Sequence, residues 1–406
     1  MTTLPLQKAL GILQEDGVEQ FLRRSIRYTS LRFSNIAAWK WFVDAAFAPS
    51  NNELEKRSDV RWEIKPSKKP NISYGSERNS GVPKLLEQAE KEIVTSPRHI
   101  LEFNNVNLFG QYLFGNTGWT FFDIAHIGNS RPNLLASIHP PQDFIFSKIG
   151  EYQQLQYGFV IGGGRSSFAK WFYEQLPKLY WYEMYCKKAD SNPALIVSGE
   201  LTKWQIRSLE LVGYSPNDYY QHQRKEILSV SRLLVPPHPL HTRGGPFHVC
   251  PTALQWVRDT ILSNLPSISK DSHDKIYVSR ADANRRQVIN EKEVVSLLKE
   301  YEVKSFEPGR LSFDEQVRLF SDAKMIIGPH GAGLTNMIYA DNTKVLELLT
   351  EEAGEHFCVL ANECGHSYEF LQCDPINRKN RKKRHRDMRV DLTELEKRLE
   401  SFQNNG

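Results

Sequence analysis

The chain has few cysteines, the residues that form disulfides and many zinc sites. Its 406 residues include five cysteines, which are irregularly spaced and contain no Cys-x-x-Cys pair. An odd, irregular set of this kind argues against a disulfide framework and is typical of reduced thiols in a cytosolic protein. Three of the cysteines lie near two histidines in the sequence (Cys358, Cys364, Cys373, His356 and His366). Because zinc sites ordinarily show closely paired ligands, we favour scattered buried thiols over a metal site there.

Long apolar stretches are also missing. No run of 18 apolar residues occurs, so the sequence predicts no transmembrane helix. The opening residues, Met-Thr-Thr-Leu-Pro-Leu, lack the apolar centre of a signal peptide. With 40% hydrophobic and 25% charged residues, the composition is that of a folded globular protein. We therefore expect a cytoplasmic location.

Positive charge is weak overall but concentrated in one segment. The formal net charge is +4, and residues 378–389 contain eight lysines or arginines against one acid. A net charge this small does not indicate nucleic acid, which we expect not to be a partner. The basic segment leaves open a protein that binds polyanions, although solvated basic runs are common in proteins that do not.

A second basic region lies near the start of the sequence. Residues 21–43 hold five basic residues and no acid beside an apolar stripe, with Trp39 and Trp41 near the end. A basic amphipathic helix with aromatic residues at its end is suited to peripheral attachment at the inner, anionic face of a membrane. A helix packed against its own protein is an equal alternative.

The chain is long for one hydrophobic core, so two domains are expected. Strand and helix patterns alternate in both halves, which predicts parallel sheets in an α/β protein. A Pro- and Gly-rich linker, Pro236–Pro246, separates the halves. We predict N-terminal amphipathic helices over residues 1–50, an α/β domain with a β-rich lead-in over 51–240, a Rossmann-like domain over 247–390 and a C-terminal helix over 391–406.

Three elements of these halves bear directly on function. Residues 168–181 are predicted to form one aromatic-rich helix, with Pro177 inside it or near its end. Ser312, with Glu315 three positions later, forms a capping box that opens another helix. A strand over 325–327 then stops at Gly328-Pro329 and is followed by apolar residues at helical spacing.

Between that last strand and the following helix lie Gly331, Ala332 and Gly333, here called the glycine turn. Residues this small let another group approach the backbone closely, and a glycine there can also supply a positive φ. The first amides of a helix lie at the positive end of its dipole, which favours phosphate. A turn built only for tight packing is the alternative.

Three motifs together resemble glycosyltransferase family 61. They are Ile327-Gly-Pro-His-Gly-Ala-Gly-Leu-Thr-Asn336, Lys275-Ile-Tyr-Val-Ser-Arg280 and Val345-Leu-Glu347-Leu. The similarity is dense from Asp274 to Leu349 and weaker back to Ser166. It implies a GT-B-like fold with two facing Rossmann-like domains, in which the first domain binds the acceptor and the second binds the donor. It also implies inverting transfer from a nucleotide-sugar, expected to be a uridine diphosphate sugar, to a glycan or lipid-linked glycan.

Residues that follow strand ends are the candidate donor ligands, because ligands of open α/β sheets lie beyond the carboxyl ends of the strands. Arginine is suited to binding a diphosphate through two hydrogen bonds. The resemblance implies that Glu347 binds both ribose hydroxyls of the nucleotide; a capping or ion-paired acid is the alternative. The predicted donor site comprises Ser279, Arg280, Arg285, Arg286, Gly331, Ala332, Gly333, Asn336 and Glu347. No Asp-x-Asp occurs in the sequence, so we expect no metal ion and no cofactor.

Two residues are candidates for catalysis. His330 is placed to stabilise negative charge on a leaving phosphate, although a histidine bonded only to backbone is the alternative. The family's His-Trp, acid, Leu-Pro motif is matched by Lys170-Trp171-Phe-Tyr-Glu174-Gln-Leu-Pro177, with lysine where histidine is expected. That leaves Glu174 as the candidate base, with Trp171 and Tyr173 placed to stack on a sugar. A glutamate on a helix surface is its alternative.

A second enzyme class fits the same motifs. A nucleotide-sugar epimerase or hydrolase on the same fold would turn over the donor without an acceptor. A third reading is a polyanion-binding protein in which the glycine turn is only structural.

Overall fold

The computed structural model describes most of the second half of the chain and parts of the first. The described ranges are 60–64, 98–109, 112–115, 121–123, 152–163, 167–223, 226–237, 250–267, 272–351, 353–376 and 385–404. The predicted helices of residues 1–50 lie outside these ranges, as does most of the linker 236–246. Within the described ranges, no helix combines the length and apolarity needed to cross a bilayer.

The first sheet has eight strands and is mixed. They are β1 (Val60–Ile64), β2 (Arg98–Phe109), β3 (Tyr112–Gly115), β4 (Phe121–Asp123), β5 (Tyr152–Gly163), β6 (Ala194–Ser198), β7 (Tyr219–His222) and β8 (Ile227–Val235). Their order is β4-β3-β2-β8-β5-β6-β7, and β1 pairs with β2. β1 to β4 form antiparallel pairs, whereas β8, β5, β6 and β7 run parallel. The predicted β-rich lead-in and the parallel strands after it are therefore both present.

The helices between β5 and β7 differ from the prediction in one place. They are α1 (Phe168–Lys170), a π-helix (Trp171–Gln175), α2 (Lys178–Ala189) and α3 (Lys203–Leu211). The predicted single helix over 168–181 is interrupted, because Pro177 lacks an amide hydrogen and takes the N-cap position of α2. A π-turn is rare in proteins and is frequently found at functional sites.

The second sheet is parallel throughout. It contains β9 (Lys275–Val278), β10 (Lys304–Phe306), β11 (Met325–Pro329), β12 (Lys344–Leu349) and β13 (Ser367–Gln372). The helices around it are α4 (Pro251–Asn264), α5 (Glu291–Glu300), α6 (Phe313–Ser321), α7 (His356–Glu363) and α8 (Leu392–Asn404), with 3₁₀ helices at Pro308–Arg310 and Ala332–Tyr339. A short ribbon pairs β14 (Asp374–Ile376) with β15 (Asp387–Arg389).

The strand order of the second sheet is β10-β9-β11-β12-β13. Counted from its own first strand this is 2-1-3-4-5, one of the two common doubly wound orders. In that order the chain reverses its direction of winding between β9 and β11. The carboxyl ends of these two strands therefore border a crevice, which is the expected position for a ligand.

The two sheets share one hydrophobic cluster. Phe159 and Leu195 of the first sheet belong to it together with Ile326 of the second. The ring of Phe172 on the π-helix stacks on Phe313 of α6, with centroids 5.2 Å apart and planes 10° from parallel. This common core fixes the π-helix against the helices of the second sheet.

One ion pair reinforces that contact. Arg207 of α3 binds Asp314 of α6 with two hydrogen bonds of 2.8 and 2.9 Å. Asp314 lies in the first turn of α6, whose predicted capping box between Ser312 and Glu315 is confirmed. The arginine therefore joins the first half of the chain to a helix end whose backbone is already fixed.

The opposite face of the second sheet has its own core. Leu346 of β12 packs there with Leu298 of α5 and with Leu395 and Leu399 of α8, each at most 1% exposed. The C-terminal helix predicted over 391–406 is present and contributes to this core.

Candidate functional site

The candidate site lies at the carboxyl edge of the second sheet, between β9 and β11. β9 ends at Val278 and is followed by Ser279 and Arg280, while β11 ends at Pro329 and is followed by His330 and Gly331. β9 and β11 are hydrogen-bonded neighbours. The Arg280 and glycine-turn segments, separated by 50 residues in sequence, therefore lie together at the crevice.

The glycine turn is required for space rather than for backbone conformation. Gly331 has a φ of 174°, which is extended backbone, so the expectation of a positive φ is wrong for this residue. A Cβ added to Gly331 would lie 2.6 Å from Cζ of Arg280, and one added to Gly333 would lie 2.9 Å from Cγ1 of Val278. Larger side chains at these positions would displace the guanidinium or push β9 away.

The amides of the glycine turn are available to a ligand. Within the part of the chain that the structure describes, the N–H groups of Gly331, Ala332 and Gly333 donate to no protein acceptor, and the first bond of the helix runs from Leu334 N to Gly331 O at 3.0 Å. The helix that follows is a 3₁₀ helix of eight residues, not the predicted α-helix. Three unpaired amides at a helix start form an anion-binding group.

Arg280 covers this turn with positive charge. Its Nη2 donates to the carbonyl of Arg285 at 3.2 Å, whereas its buried Nε has no hydrogen-bonding partner among the described residues. Burial lowers the pKa of Arg280, against the opposing charge of Asp282. An arginine nevertheless keeps its proton. The turn therefore combines a desolvated cation with free amides.

The other predicted donor residues of this loop are placed less directly. Ser279 is buried; its hydroxyl donates to Glu291 at 2.9 Å and accepts from the amide of Ala281. Arg285 is exposed and lies 3.4 Å from His385. Arg286 adopts a left-handed backbone with φ of 55°. Ser279 thus shapes the loop, and the two arginines lie along its course.

His330 is held by a buried carboxylate. Its Nδ1 lies 2.5 Å from Oε1 of Glu347, and the hydroxyl of Tyr368 donates to Oε2 of the same carboxylate at 2.6 Å. Glu347 is 0% exposed and His330 8%. Burial, followed by the charge of Glu347, raises the pKa of Tyr368 well above its usual value. Both carboxylate oxygens are hydrogen-bonded within the protein, so an acid held by other side chains describes the contacts of Glu347 better than a ribose ligand does.

The contacts of His330 differ from those of a histidine bonded to backbone. Its ring meets Phe357 of α7 edge-on, with centroids 5.1 Å apart. Among the described residues Nδ1 contacts only Glu347, and no protein group bonds Nε2. The second ring nitrogen is therefore left for a ligand.

Asn336 lies beneath the turn rather than facing the crevice. It is 0% exposed, and its amide donates to Oε1 of Gln316 on α6 at 2.9 Å and to the carbonyl of Gly333 at 3.4 Å. In this position it fixes the 3₁₀ helix against α6.

Glu174 of the π-helix is buried together with two nearby polar residues. Glu174, Gln175 and Lys178 are each at most 3% exposed, and Nζ of Lys178 donates to Gln175 at 2.9 Å. The alternative of a glutamate on a helix surface is therefore wrong. Its predicted neighbours are not free to stack on a sugar: Trp171 is 0% exposed and donates to Ser208 at 2.8 Å, and Tyr173 is also buried.

Of the clustered cysteines, Cys358 and Cys373 are buried thiols and Cys364 is half-buried. Burial is the main cause that raises the pKa of Cys364 and of Cys373 to about 12, and Cys358 is fully buried. Within the described ranges, no group of three or more His, Cys, Asp or Glu side chains is arranged to hold a metal ion.

Tyr368 was not singled out by the sequence. It lies on β13 opposite Val345, two residues from Glu347 on the same face of β12. Residues two apart on a strand face the same side, so a diagonal neighbour can bond across the pair. That signal exists only once the pairing of β12 with β13 is known.

Comparisons with known proteins agree with the motifs. Residues 168–346 match the family described as Glycosyltransferase 61, from α1 through both strand ends of the crevice to β12. The resemblance seen in the sequence is therefore confirmed over these residues.

A curated relative gives a narrower match. The chain is 30% identical over 105 residues to the EGF domain-specific O-linked N-acetylglucosamine transferase of Gallus gallus. The match covers 24% of this chain and 20% of that protein, so it spans about a fifth of the relative's length.

Proposed function

We propose that the chain is an inverting, metal-independent glycosyltransferase. It moves a sugar from a nucleotide-sugar, with uridine diphosphate as the leaving group, to a hydroxyl of a glycan or lipid-linked glycan. The observation that carries the proposal is the set of free amides at Gly331, Ala332 and Gly333 under the guanidinium of Arg280. This arrangement lies where the strand order of the second sheet reverses.

The donor diphosphate lies on the glycine turn. The amides bind its oxygens at the positive end of the 3₁₀ helix, and Arg280 supplies a full positive charge from the β9 side. Exchanging water for a preformed cation and three aligned amides stabilises the charge that develops as the phosphate leaves. A protein cation and amides thus take the part that Mg²⁺ or Mn²⁺ plays in other transferases, and no cofactor is needed.

The acceptor is bound on the side of the first sheet, in a GT-B-like arrangement of two halves. An acceptor oxygen attacks the anomeric carbon as the bond to the diphosphate breaks, which inverts the configuration. Glu174 takes the hydroxyl proton, as a buried carboxylate on a π-turn that packs against the second half through Phe172.

The setting proposed for the enzyme is the assembly of polysaccharide or surface glycan. It is cytoplasmic and peripheral at an anionic membrane. Residues 21–43, which motivate the membrane contact, lie outside the described ranges. Deleting residues 1–47 should reduce binding to anionic vesicles at low salt while donor binding persists; a full-length protein that ignores such vesicles would contradict this attachment.

The experiment that tests the activity is a ligand screen followed by an acceptor test. Uridine diphosphate and its sugars, N-acetylglucosamine included, should raise the melting temperature in excess EDTA, because a ligand that binds only the folded state stabilises it. Guanosine and adenosine diphosphates are the matched controls.

The reaction products separate the remaining classes. Release of uridine diphosphate that requires a glycan acceptor supports a transferase, whereas equal release in water alone indicates a hydrolase and interconversion of the donor sugar an epimerase. Salt-sensitive binding of polyanions without any nucleotide-sugar binding would overturn the proposal in favour of a polyanion-binding protein.

A further inference from the structure

Glu347 has a position that its expected role in ribose binding does not explain. It lies in the centre of the second sheet, paired with Gly328 of β11, and is 0% exposed. A carboxylate in such a site is costly unless its oxygens are hydrogen-bonded. His330 and Tyr368 supply those hydrogen bonds, at 2.5 and 2.6 Å.

We propose that Glu347 and Tyr368 are positioning residues that hold the His330 ring so that its Nε2–H donates to the leaving diphosphate. The inference deepens the proposed function and rests on it. Nδ1–H of His330 donates to one oxygen of Glu347, and Tyr368 fixes the other oxygen, which determines the orientation of the carboxylate. The imidazole then has one free nitrogen, adjacent in the chain to the amides of the glycine turn.

The chemistry follows from the charges. When the bond between the anomeric carbon and the phosphate oxygen breaks, its electron pair passes to that oxygen, and the acceptor proton passes to the base. A cationic imidazole ring, balanced by the carboxylate behind it, stabilises the oxygen without leaving an unpaired charge in the sheet. Because the negative charge on that oxygen grows as the bond breaks, this contact is stronger in the transition state than with intact donor.

Other groups around His330 do not duplicate this role. Phe357 contacts the ring through its edge and confines it without charge. Arg280 lies over Gly331 on the β9 side of the turn. In this proposal Arg280 binds the diphosphate of both donor and product, whereas His330 stabilises the negative charge that develops on the leaving oxygen during the reaction.

The test compares three variants of the full chain. In Glu347→Gln the shape is kept and the negative charge behind His330 is lost. We expect kcat to fall by roughly 10- to 100-fold, in the range for losing a group that orients a functional histidine. Affinity for the intact nucleotide-sugar should stay within a few fold, while affinity for uridine diphosphate, the charged product, should fall. A purely structural role would not separate donor from product.

Tyr368→Phe and Tyr214→Phe form a matched pair. Each removes a tyrosine hydroxyl that donates to a glutamate, Tyr368 to Glu347 and Tyr214 to Glu183 at 2.5 Å in the first half. Only Tyr368→Phe should lower kcat, by a few fold, although both lower stability. This pair also keeps the proposal testable should Glu347→Gln fail to fold.

The outcomes separate the two proposals. A folded Glu347→Gln enzyme with unchanged kcat, or equal kcat for the two tyrosine variants, overturns the positioning role. A wild-type protein that binds neither uridine diphosphate nor its sugars overturns the proposed function itself.

Discussion

The two halves of the chain differ in whether the polar groups of their candidate functional residues are bonded within the protein. In the first half, Glu174 and Gln175 of the π-helix and Lys178 at the start of α2 are enclosed and bonded within the protein. In the second half, the amides of the glycine turn and Nε2 of His330 have no protein partner among the described residues. The difference supports the proposal of a preformed anion site at the second sheet, whereas Glu174, the proposed base, is buried in the first half of the chain.

The largest effect should come from removing that base. Glu174→Gln keeps the shape of the side chain and removes its basic character, so kcat should fall by roughly 10²–10⁴-fold while donor affinity changes little. Steady-state kinetics with saturating donor measure it. Glu210→Gln on α3 is the matched control and should retain turnover. Near-full activity of Glu174→Gln would place the base elsewhere, with His330 the next residue to test.

The next effect tests whether the two halves share a core. Phe172 is 0% exposed and stacks on Phe313, so Phe172→Ala should lower the free energy of unfolding by about 3–5 kcal/mol. Urea unfolding measures the change. Met184→Ala, at a side chain 42% exposed, should stay within about 0.5 kcal/mol. A loss below 1 kcal/mol for Phe172→Ala would mean that the halves are stabilised independently.

A smaller effect concerns donor charge. Arg280→Ala should weaken nucleotide binding by about 1.5–3 kcal/mol, the range for hydrogen bonds to a charged group. Lys397→Ala, an exposed cation on α8, is the control and should leave binding unchanged. Titration calorimetry at fixed ionic strength gives both values. Equal affinities of the two variants would remove Arg280 from the donor site.

The smallest effect is a dependence of stability on pH. Burial lowers the pKa of His366, which bonds the carbonyl of Met337 beneath the glycine turn at 2.8 Å. Below about pH 6.5 the His366 imidazole binds a proton in the unfolded chain but not in the folded one. The free energy of unfolding therefore falls as the pH drops. The difference between the urea midpoints at pH 7.5 and pH 5.5 should therefore be smaller in His366→Asn than in the wild type. An unchanged difference between the two midpoints would exclude His366 as a source.

Most of the fold could be predicted from local patterns. The alternating strands and helices, the capping box at Ser312 and the C-terminal helix follow from periodicity and capping residues, which act over a few positions. The break before α2 has a local signal in Pro177, whereas the sequence patterns contain no signal for the π form of Trp171–Gln175 or the 3₁₀ form of Ala332–Tyr339.

The position of the candidate site could be predicted from the sequence, but the contacts within it could not. Arg280, His330 and the glycine turn are brought together because each follows a strand end of one parallel sheet. The contacts behind them were not predictable, since the bond from Tyr368 to Glu347 depends on the register of β12 with β13. Likewise, the hydrogen bond from Trp171 to Ser208 joins residues 37 positions apart in the sequence.

Calorimetry of uridine diphosphate in excess EDTA tests whether the glycine turn binds the donor diphosphate without a metal ion. Wild-type protein should bind, and Gly331→Val should not, because the added side chain occupies the space of the Arg280 guanidinium. The control is Gly213→Ala, just after α3. Gly213 has a φ of 99°, which strains an alanine, but an added Cβ would meet no other atom of the described residues within 4 Å. This variant should lower stability and leave binding intact. Binding that requires added Mn²⁺, or that survives in a folded Gly331→Val protein, would contradict the account.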